Sequence, residues 1–139
     1  MIRRANKFDL VLIKQFMQEF VDKTNHPLAI KKDHAHIDKV LSTILAGLGF
    51  VLIDEQHGGL LIAIKNPVLW EPDAFVLTEV WWSARKKTSA LALLKEFVSI
   101  AETMQDNGEI RQFYFNAYGA ANYRKYGIFR ISMMWGSHG

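Results

Sequence analysis

The spacing of apolar residues changes along the chain, and each change predicts a different element. Steps of three and four residues are typical of a helix with one buried face, whereas short apolar runs between turn residues are typical of strands. The predicted order is β–α–α–β–β–β–α–β–α–β, at residues 2–4, 9–21, 31–47, 49–54, 60–65, 75–82, 88–104, 110–116, 119–126 and 129–134. This order predicts an α+β (α/β-like) domain, with about four helices on a mixed central sheet.

Capping and turn residues define several of these boundaries. Asp9 is expected to cap the first helix and Asp33 the second, because short acceptor side chains bind free N–H groups there. Gly47 is expected to end the second helix, and Gly58–Gly59 to form the turn of a hairpin. The segment 66–74 (NPVLWEPDA) carries two prolines and is expected to be a loop.

Length and composition indicate one globular domain over residues 1–139. Half of the residues are hydrophobic, which is enough for a packed core, and no repeat or linker divides the chain. The N-terminal residues lack the apolar core of a signal peptide, and no stretch approaches the roughly 18 apolar residues of a membrane span. We therefore expect a soluble, cytoplasmic protein without a membrane partner.

Charge and residue types exclude several kinds of site. No cysteine is present, so disulfides, thiolate metal sites and a cysteine nucleophile are excluded. The histidine spacing matches no closed zinc pattern, and no metal is expected. A formal net charge of +3 is too small to indicate a nucleic-acid partner. Four cations near the aromatic strand are expected to be solvated rather than to form a basic face, namely Arg111, Arg124, Lys125 and Arg130.

The segment 78–97 combines a strand, a cationic loop and a helix. The free N–H groups and partial positive charge of a helix N-terminus form a site for a pyrophosphate. Cations and small residues meet at this point, namely Arg85, Lys86, Lys87, Thr88, Ser89 and Ala90. From these residues alone an alternative stays open, in which Thr88 is an ordinary N-cap and the cations are a solvated loop.

This segment resembles the cofactor loop of GNAT acetyltransferases, which hold acetyl-CoA with the pattern Arg/Gln-x-x-Gly-x-Gly/Ala. Arg85 and Ala90 match that pattern, and Leu93–Leu94 follow at the family's offset. Thr88 stands where the family usually has glycine, and its Cβ would crowd a pyrophosphate that approaches the backbone closely. The resemblance implies that residues 85–90 hold the pyrophosphate of acetyl-CoA.

A second segment, residues 115–128, resembles the family's late Asn-x-x-Ala-x-x-x-Tyr-x-x-x-Gly-Phe pattern. Asn116 ends the predicted fifth strand and is implied to contact the cofactor. Tyr123 stands at the position whose hydroxyl commonly protonates the departing CoA thiolate. Gly127 matches the pattern, whereas Ile128 replaces phenylalanine. The alternatives are a turn residue for Asn116 and a packing aromatic for Tyr123.

Glu79 lies on the strand before the cofactor loop, where some GNAT members carry a glutamate that deprotonates the substrate. Such a base is needed because an amine attacks only when neutral, and the ordinary pKa of lysine is about 10.4. Strand alternation predicts Glu79 and Trp81 on one face, and Val80 and Trp82 on the other. The resemblance implies that the backbone of Val80 to Trp82 binds the pantetheine arm. The alternative for Glu79 is a residue on the solvated face, or one that anchors a backbone amide.

The resemblance covers nearly the whole chain and implies an acetyl-CoA-dependent N-acetyltransferase that transfers the acetyl group directly to a primary amine. The acceptor is expected to be a small molecule or a protein, with His26 and Trp70 as candidate residues of its site. The alternative is a non-catalytic binding or structural protein on the same scaffold. Paired tryptophans on the fourth strand look similar to short GNAT-like proteins of tailed phages, which places this alternative in a virion or host cytoplasm. A homodimer or larger assembly is compatible with a free sheet edge.

Overall fold

The computed structural model describes residues 1–24, 34–116, 128–131 and 134–137, with backbone alone for Thr24 and from Asn116 onward. The α-helices of this part are α1 (Leu10–Thr24), α2 (His34–Thr43) and α3 (Lys87–Asp106). The strands are β1 (Ile2–Arg4), β2 (Gly49–Asp54), β3 (Gly59–Val68), β4 (Glu71–Ser83), β5 (Gln112–Asn116), β6 (Ile128–Ile131) and β7 (Met134–Ser137).

The strands of the described residues form one mixed sheet in the order β1-β2-β3-β4-β5-β7-β6. Neighbours from β1 to β4 are antiparallel, and β7 lies antiparallel between β5 and β6. Among the described strands only β4 and β5 pair in parallel, and α3 connects them. This parallel pair therefore lies between an antiparallel half that contains β1–β4 and one that contains β5–β7.

Two clusters of buried side chains cover the two faces of the sheet. The cluster under α3 includes Leu52, Leu61, Leu77, Trp82, Leu94, Phe97, Phe113 and Phe115. The cluster under α1 and α2 includes Ile13, Phe16, Leu41, Ile44, Val51, Ile53, Leu60 and Ile62. Successive residues of β2 and β3 thus enter opposite clusters, which is why these strands are nearly continuous apolar runs in the sequence.

The first helix is capped by a different residue from the one expected. A 3₁₀ turn over Lys7–Asp9 precedes α1, and its N-cap is Asn6. The Asn6 side-chain oxygen accepts from the Phe8 N–H at 2.9 Å, and Asp9 Oδ2 accepts from the Asn6 N–H at 2.8 Å. Asp9 is therefore the N3 residue of a capping box whose N-cap is Asn6. The expectation that Asp9 is the N-cap was wrong because the helical turn begins before the apolar period does.

The end of the second helix agrees with its sequence signal. α2 passes at Thr43 into a π turn over Ile44–Leu48. Gly47 in this turn has a φ of 131°, a conformation that other residues rarely adopt. The predicted N-cap, Asp33, lies outside the described residues.

The segment expected to be a proline-containing loop mostly belongs to strands, which corrects the prediction for residues 66–74. β3 continues to Val68 and β4 begins at Glu71. β2 pairs with β3 only as far as Ile64, so the rest of β3 is an edge strand. An edge strand tolerates a proline such as Pro67, because one side of its backbone has no ladder to complete.

The single strand expected at residues 129–134 was also wrong. The structure has two strands there, β6 and β7, with residues 132–133 between them outside the described residues. The apolar run has no glycine or proline at the division, so the sequence carries no signal for it. The division instead follows from β7 pairing with β5 on one side and β6 on the other. The helix predicted at 119–126 lies outside the described residues.

Gly49 offers a direct test of the close packing between β2 and β3. A Cβ at Gly49 would lie 1.9 Å from the carbonyl oxygen of Ala63, whereas a Cβ at Gly47 would meet nothing within 4 Å. We expect Gly49→Ala to lower the free energy of unfolding by about 3 kcal/mol, because backbone must move to accept the methyl group. Gly47→Ala is the control and should cost about 1 kcal/mol through its positive φ alone. Urea unfolding measures both, and a larger loss at Gly47 would contradict this account.

Candidate functional site

Strands β4 and β5 separate towards their carboxyl ends. They pair in parallel as far as Thr78 and Tyr114, and within the described residues no later pair joins them. β4 stays paired with β3 to Ser83, while β5 continues along β7. A cleft, here called the β4–β5 cleft, therefore opens between residues 79–83 and 115–116. Ligands commonly bind outside the carboxyl ends of parallel strands.

A β-bulge lies at Val80, where the cleft begins. On β3, the adjacent residues Ile62 and Ala63 pair with Trp81 and Glu79, so Val80 has no residue opposite it. Val80 is 46% exposed, although both residues opposite its neighbours are buried. A bulge bends its strand locally, and within the described residues the edge of β4 beyond Thr78 has no partner on β5.

The bulge overturns the expected distribution of side chains on β4. Directly opposed residues of antiparallel strands share a face, so Glu79 lies on the face of Ala63, and Trp82 on the face of Leu61. Ala63 and Leu61 both belong to the cluster under α3, whereas Trp81 packs against the cluster under α1 and α2. Glu79 thus shares a face with Trp82 and not with Trp81. The alternation rule failed because it assumes no inserted residue.

Glu79 is buried at the base of the cleft. Glu79 is only 2% exposed, which excludes the alternative in which it lies on the solvated face of the strand. Its neighbour in sequence, Thr78, makes the last pair with β5. Glu79 therefore sits at the point where the two parallel strands begin to diverge.

The two tryptophans of β4 join the strand to different elements. Trp82 donates from Nε1 to the carbonyl oxygen of Ala90 at 3.0 Å, and its ring lies edge-on to Phe115 with centroids 6.0 Å apart. Trp81 lies edge-on to Phe20 of α1 at 5.3 Å. Trp82 therefore holds the first turn of α3 and the end of β5 against β4, on either side of the cleft.

The N-terminus of α3 presents free backbone donors. Its N-cap is Lys86, which makes no side-chain cap hydrogen bond, and the Ala90 N–H donates to the Lys86 carbonyl at 3.0 Å. Helix geometry leaves the N–H groups before Ala90 without an intrahelical acceptor. Thr88 is the second helical residue, so the alternative in which Thr88 is the N-cap was wrong. Lys86, Lys87 and Thr88 are all exposed, so an anion can approach this end of the helix.

Ser89 faces inward and takes part in a buried network that the sequence did not reveal. Its hydroxyl donates to Asp54 Oδ2 at 2.7 Å, and His57 Nδ1 lies 3.0 Å from the same oxygen. The His57 carbonyl accepts from the Arg85 N–H at 3.1 Å. Burial by itself would raise the Asp54 pKa. The hydrogen bonds from Ser89 and His57 together lower it by more than burial raises it, so the pKa lies below its ordinary value. The network fixes the β4–α3 connection to the end of β2.

Arg85 is directed towards α1 rather than towards α3. It donates from Nε and Nη2 to the two carboxylate oxygens of Glu19, at 2.6 Å and 2.9 Å. Its guanidinium carbon lies 5.9 Å from the centre of the Phe16 ring. The bond from Arg85 lowers the Glu19 pKa, and the same contact raises the pKa of Arg85. A pocket between α1 and the β4–α3 connection is lined by Phe16, Glu19, Phe20, Lys23, Gly58, Ser83, Ala84 and Arg85.

Of the remaining candidates, one borders the cleft, one lies far from it and two lie outside the described residues. Trp70 lies at the tip of the β3–β4 hairpin, is 77% exposed, and is separated from Glu79 by most of the length of β4, about 25 Å. Asn116 ends β5 beside the cleft, where only its backbone is described. His26 and Tyr123 lie outside the described residues.

The same part of the chain offers neither a membrane-spanning helix nor a cluster of metal ligands. No helix in residues 1–24 and 34–116 is long and apolar enough to cross a membrane. The described residues also contain no group of three or more His, Cys, Asp or Glu side chains placed to hold a metal ion.

Comparison with solved structures identifies the fold. A protein described as an acetyltransferase from Arthrobacter sp. FB24 has a TM-score of 0.65 and 20% identity, over 91% of this chain and 80% of its own. One from Clostridium acetobutylicum, described with acetyl-CoA, has a TM-score of 0.66 and 16% identity, over 95% and 91%. A GNAT-family acetyltransferase from Listeria monocytogenes 4b F2365 has a TM-score of 0.53 and 15% identity, over 98% and 91%. Neither the protein-family models nor the curated proteins gave a match.

The chain therefore has the α+β fold of GNAT acetyltransferases, as its sequence motifs implied. At these identities the likeness establishes the fold. The three similar structures come from bacteria, and the resemblance to phage proteins gains no support from them.

Asp54 gives a test of the network behind α3. Because the folded-state pKa is lowered, its stabilisation is present above the ordinary value of 3.8 and is lost as pH falls through the lower folded value. We expect Asp54→Asn to lower the free energy of unfolding by about 1–3 kcal/mol at neutral pH. The difference in stability between this variant and the wild type should disappear in acid. Thermal unfolding from about pH 7 to pH 2 measures this. The exposed Asp73→Asn is the control, and a gap at Asp54 that stays constant with pH would contradict the assignment.

Proposed function

We propose that this protein is an acetyl-CoA-dependent N-acetyltransferase, which transfers the acetyl group directly to a primary amine of a small molecule or protein. The observation that carries the proposal is the β4–β5 cleft, with a bulge at Val80 and the free N-terminus of α3 at its end. The fold supports the same function, as does the similar protein described with acetyl-CoA.

The pyrophosphate of acetyl-CoA would bind at the N-terminus of α3. The backbone N–H groups of Lys87, Thr88 and Ser89 supply hydrogen bonds, and the exposed side chains of Lys86 and Lys87 supply charge. Ser89 contributes its N–H alone, because its hydroxyl is bonded to Asp54. The Cβ of Thr88 limits how closely the pyrophosphate can approach the backbone, whereas a glycine at this position would leave the backbone open.

The pantetheine arm would lie along the unpaired edge of β4. Its amides form hydrogen bonds with the backbone of Val80, Trp81 and Trp82 in the manner of an added strand. Asn116, at the end of β5, borders the other side of the cleft and is proposed to contact the cofactor there. The thioester then lies near the bulge and Glu79.

The chemistry begins with loss of a proton from the acceptor ammonium to Glu79, directly or through a water. The neutral amine attacks the thioester carbonyl carbon to give a tetrahedral intermediate. The nitrogen then loses its second proton to water, and the carbon–sulfur bond breaks to form the amide and release the CoA thiolate. Tyr123 is proposed to protonate that thiolate, which gives free CoA.

His26 remains a candidate for the acceptor site. Trp70 can contribute to that site only if the acceptor is large enough to reach the tip of the β3–β4 hairpin.

Calorimetry on protein freed of bound ligand tests the cofactor site. We expect the wild type to bind CoA. The double variant Lys86→Gln with Lys87→Gln should bind CoA about ten-fold more weakly, and its dissociation constant should depend less on salt than that of the wild type, because ions screen phosphate contacts. Lys95→Gln is the matched control, since Lys95 is exposed on the same helix two turns further on. Absence of CoA binding to the wild type at about 1 mM ligand would refute the proposed function.

Kinetics test the two proposed catalytic residues. Glu79→Gln and Tyr123→Phe should each lower kcat by about a hundred-fold or more while the acetyl-CoA dissociation constant changes little. The loss in Glu79→Gln should shrink at high pH, where more of the amine is already neutral. Mass spectrometry of acetylated products from a panel of amines and cell lysate measures the rates. Tyr114→Phe, on β5, is the control, and an unchanged rate in both catalytic variants would contradict these roles.

A second candidate is a non-catalytic binding or structural protein on this fold, such as a phage virion or host-interaction component. Two observations favour it: Thr88 replaces the family's glycine, and Arg85 is already paired with Glu19. The hairpin tip also exposes Leu69 by 94% and Trp70 by 77%, an apolar surface suited to a protein partner. Stable incorporation into a larger assembly by a protein that binds no CoA would establish this candidate instead.

A further inference from the structure

We infer that Glu19 sets the affinity of the proposed cofactor site, because it holds Arg85 in an ion pair that the phosphate groups of the cofactor must displace. This inference rests on the proposed function, since it concerns the same β4–α3 connection. It makes Glu19 a positioning residue that acts through Arg85.

The geometry shows how Arg85 is held. Both of its bonds to Glu19 are made side-on, at 2.6 Å and 2.9 Å, which uses two of the guanidinium's donors. The side chain passes over Gly58, where a Cβ would lie 2.9 Å from Arg85 Nε, and it lies near the ring of Phe16. Arg85 stands two residues before α3 begins, so its own backbone is beside the helix N-terminus while its charge is held against α1.

The pair is suited to exchange with a phosphate. Its side chains are 49% exposed for Arg85 and 41% for Glu19, so solvent screens the attraction and the contact is weak. A guanidinium fork fits a phosphate as well as it fits a carboxylate, but the same edge cannot bind both at once. A pyrophosphate at the N-terminus of α3 carries more charge than one carboxylate and adds the helix dipole as a second attraction.

Glu19 has a second cation ready on its own helix. Lys23 lies one turn further along α1, lines the same pocket, and already lowers the Glu19 pKa, after the larger effect of Arg85. A glutamate four residues before a lysine is the favourable order for a helical ion pair. Release of Arg85 therefore leaves Glu19 with Lys23, which reduces the cost of the exchange.

The exchange predicts a difference between ligands with and without phosphates. CoA would draw Arg85 from Glu19, whereas pantetheine, which has the same thiol arm and no phosphate, would leave the pair intact. Removing the Glu19 charge should therefore help CoA and not pantetheine.

Calorimetry with CoA and with pantetheine tests the inference. Glu19→Gln should lower the dissociation constant of CoA by about two- to five-fold and leave that of pantetheine unchanged. Asp22→Asn is the matched control, because it removes one carboxylate from the same exposed stretch of α1, where Asp22 bonds Gln18 and not Arg85. Arg85→Gln should weaken CoA binding, and adding Glu19→Gln to it should change nothing further.

The outcomes separate this inference from the proposed function. Equal or weaker CoA binding by Glu19→Gln, or equal tightening of CoA and pantetheine, would overturn the inference while CoA binding itself stands. No CoA binding by any variant or the wild type would overturn both. The NMR signal of the Arg85 Nε–H tests the inference in the wild type, without any substitution. This signal should shift on addition of CoA and not of pantetheine. An unmoved signal at saturating CoA would also overturn the inference.

Discussion

The short parallel contact between β4 and β5 is the constraint on which the rest of the structure depends. The strands pair only as far as Thr78 and Tyr114, after which each follows a different neighbour. Because β4 carries a bulge at Val80, its direction and its side-chain alternation both change at the start of the opening. The cleft is therefore a consequence of backbone pairing.

The entrance to the cleft is fixed by hydrogen bonds between several elements. Trp82 joins β4 to the first turn of α3, Ser89 joins that turn to Asp54 of β2, and the Arg85 N–H bonds the carbonyl of His57. These contacts orient the N-terminus of α3 without occupying its exposed N–H groups. The helix end can thus be rigid and still available to an anion, which is what electrostatic binding of a pyrophosphate requires.

The sequence predicted the elements whose signals are local. The apolar run of β2 matched its strand because both faces are buried, and the glycine at position 47 ended its helix through a positive φ. The motif around residues 85–90 implied the fold that the similar structures show. Local rules failed at Pro67, at residues 129–134 and on the faces of β4. In each case pairing with a neighbouring strand of the sheet overrode the local signal.

Two parts of the site show why its geometry needed tertiary structure. The sequence placed Arg85 in a cofactor motif, but its partner Glu19 is 66 positions away and no spacing rule connects them. Asp54 and Ser89 are likewise 35 positions apart, and they meet only because α3 crosses the end of β2. Residue types alone determined what this chain can offer, namely a cationic helix start, a strand glutamate and a late tyrosine. Folding decided which of these groups are free and which are already paired, because hydrogen bonds and ion pairs act over a few ångströms of space and not along the chain.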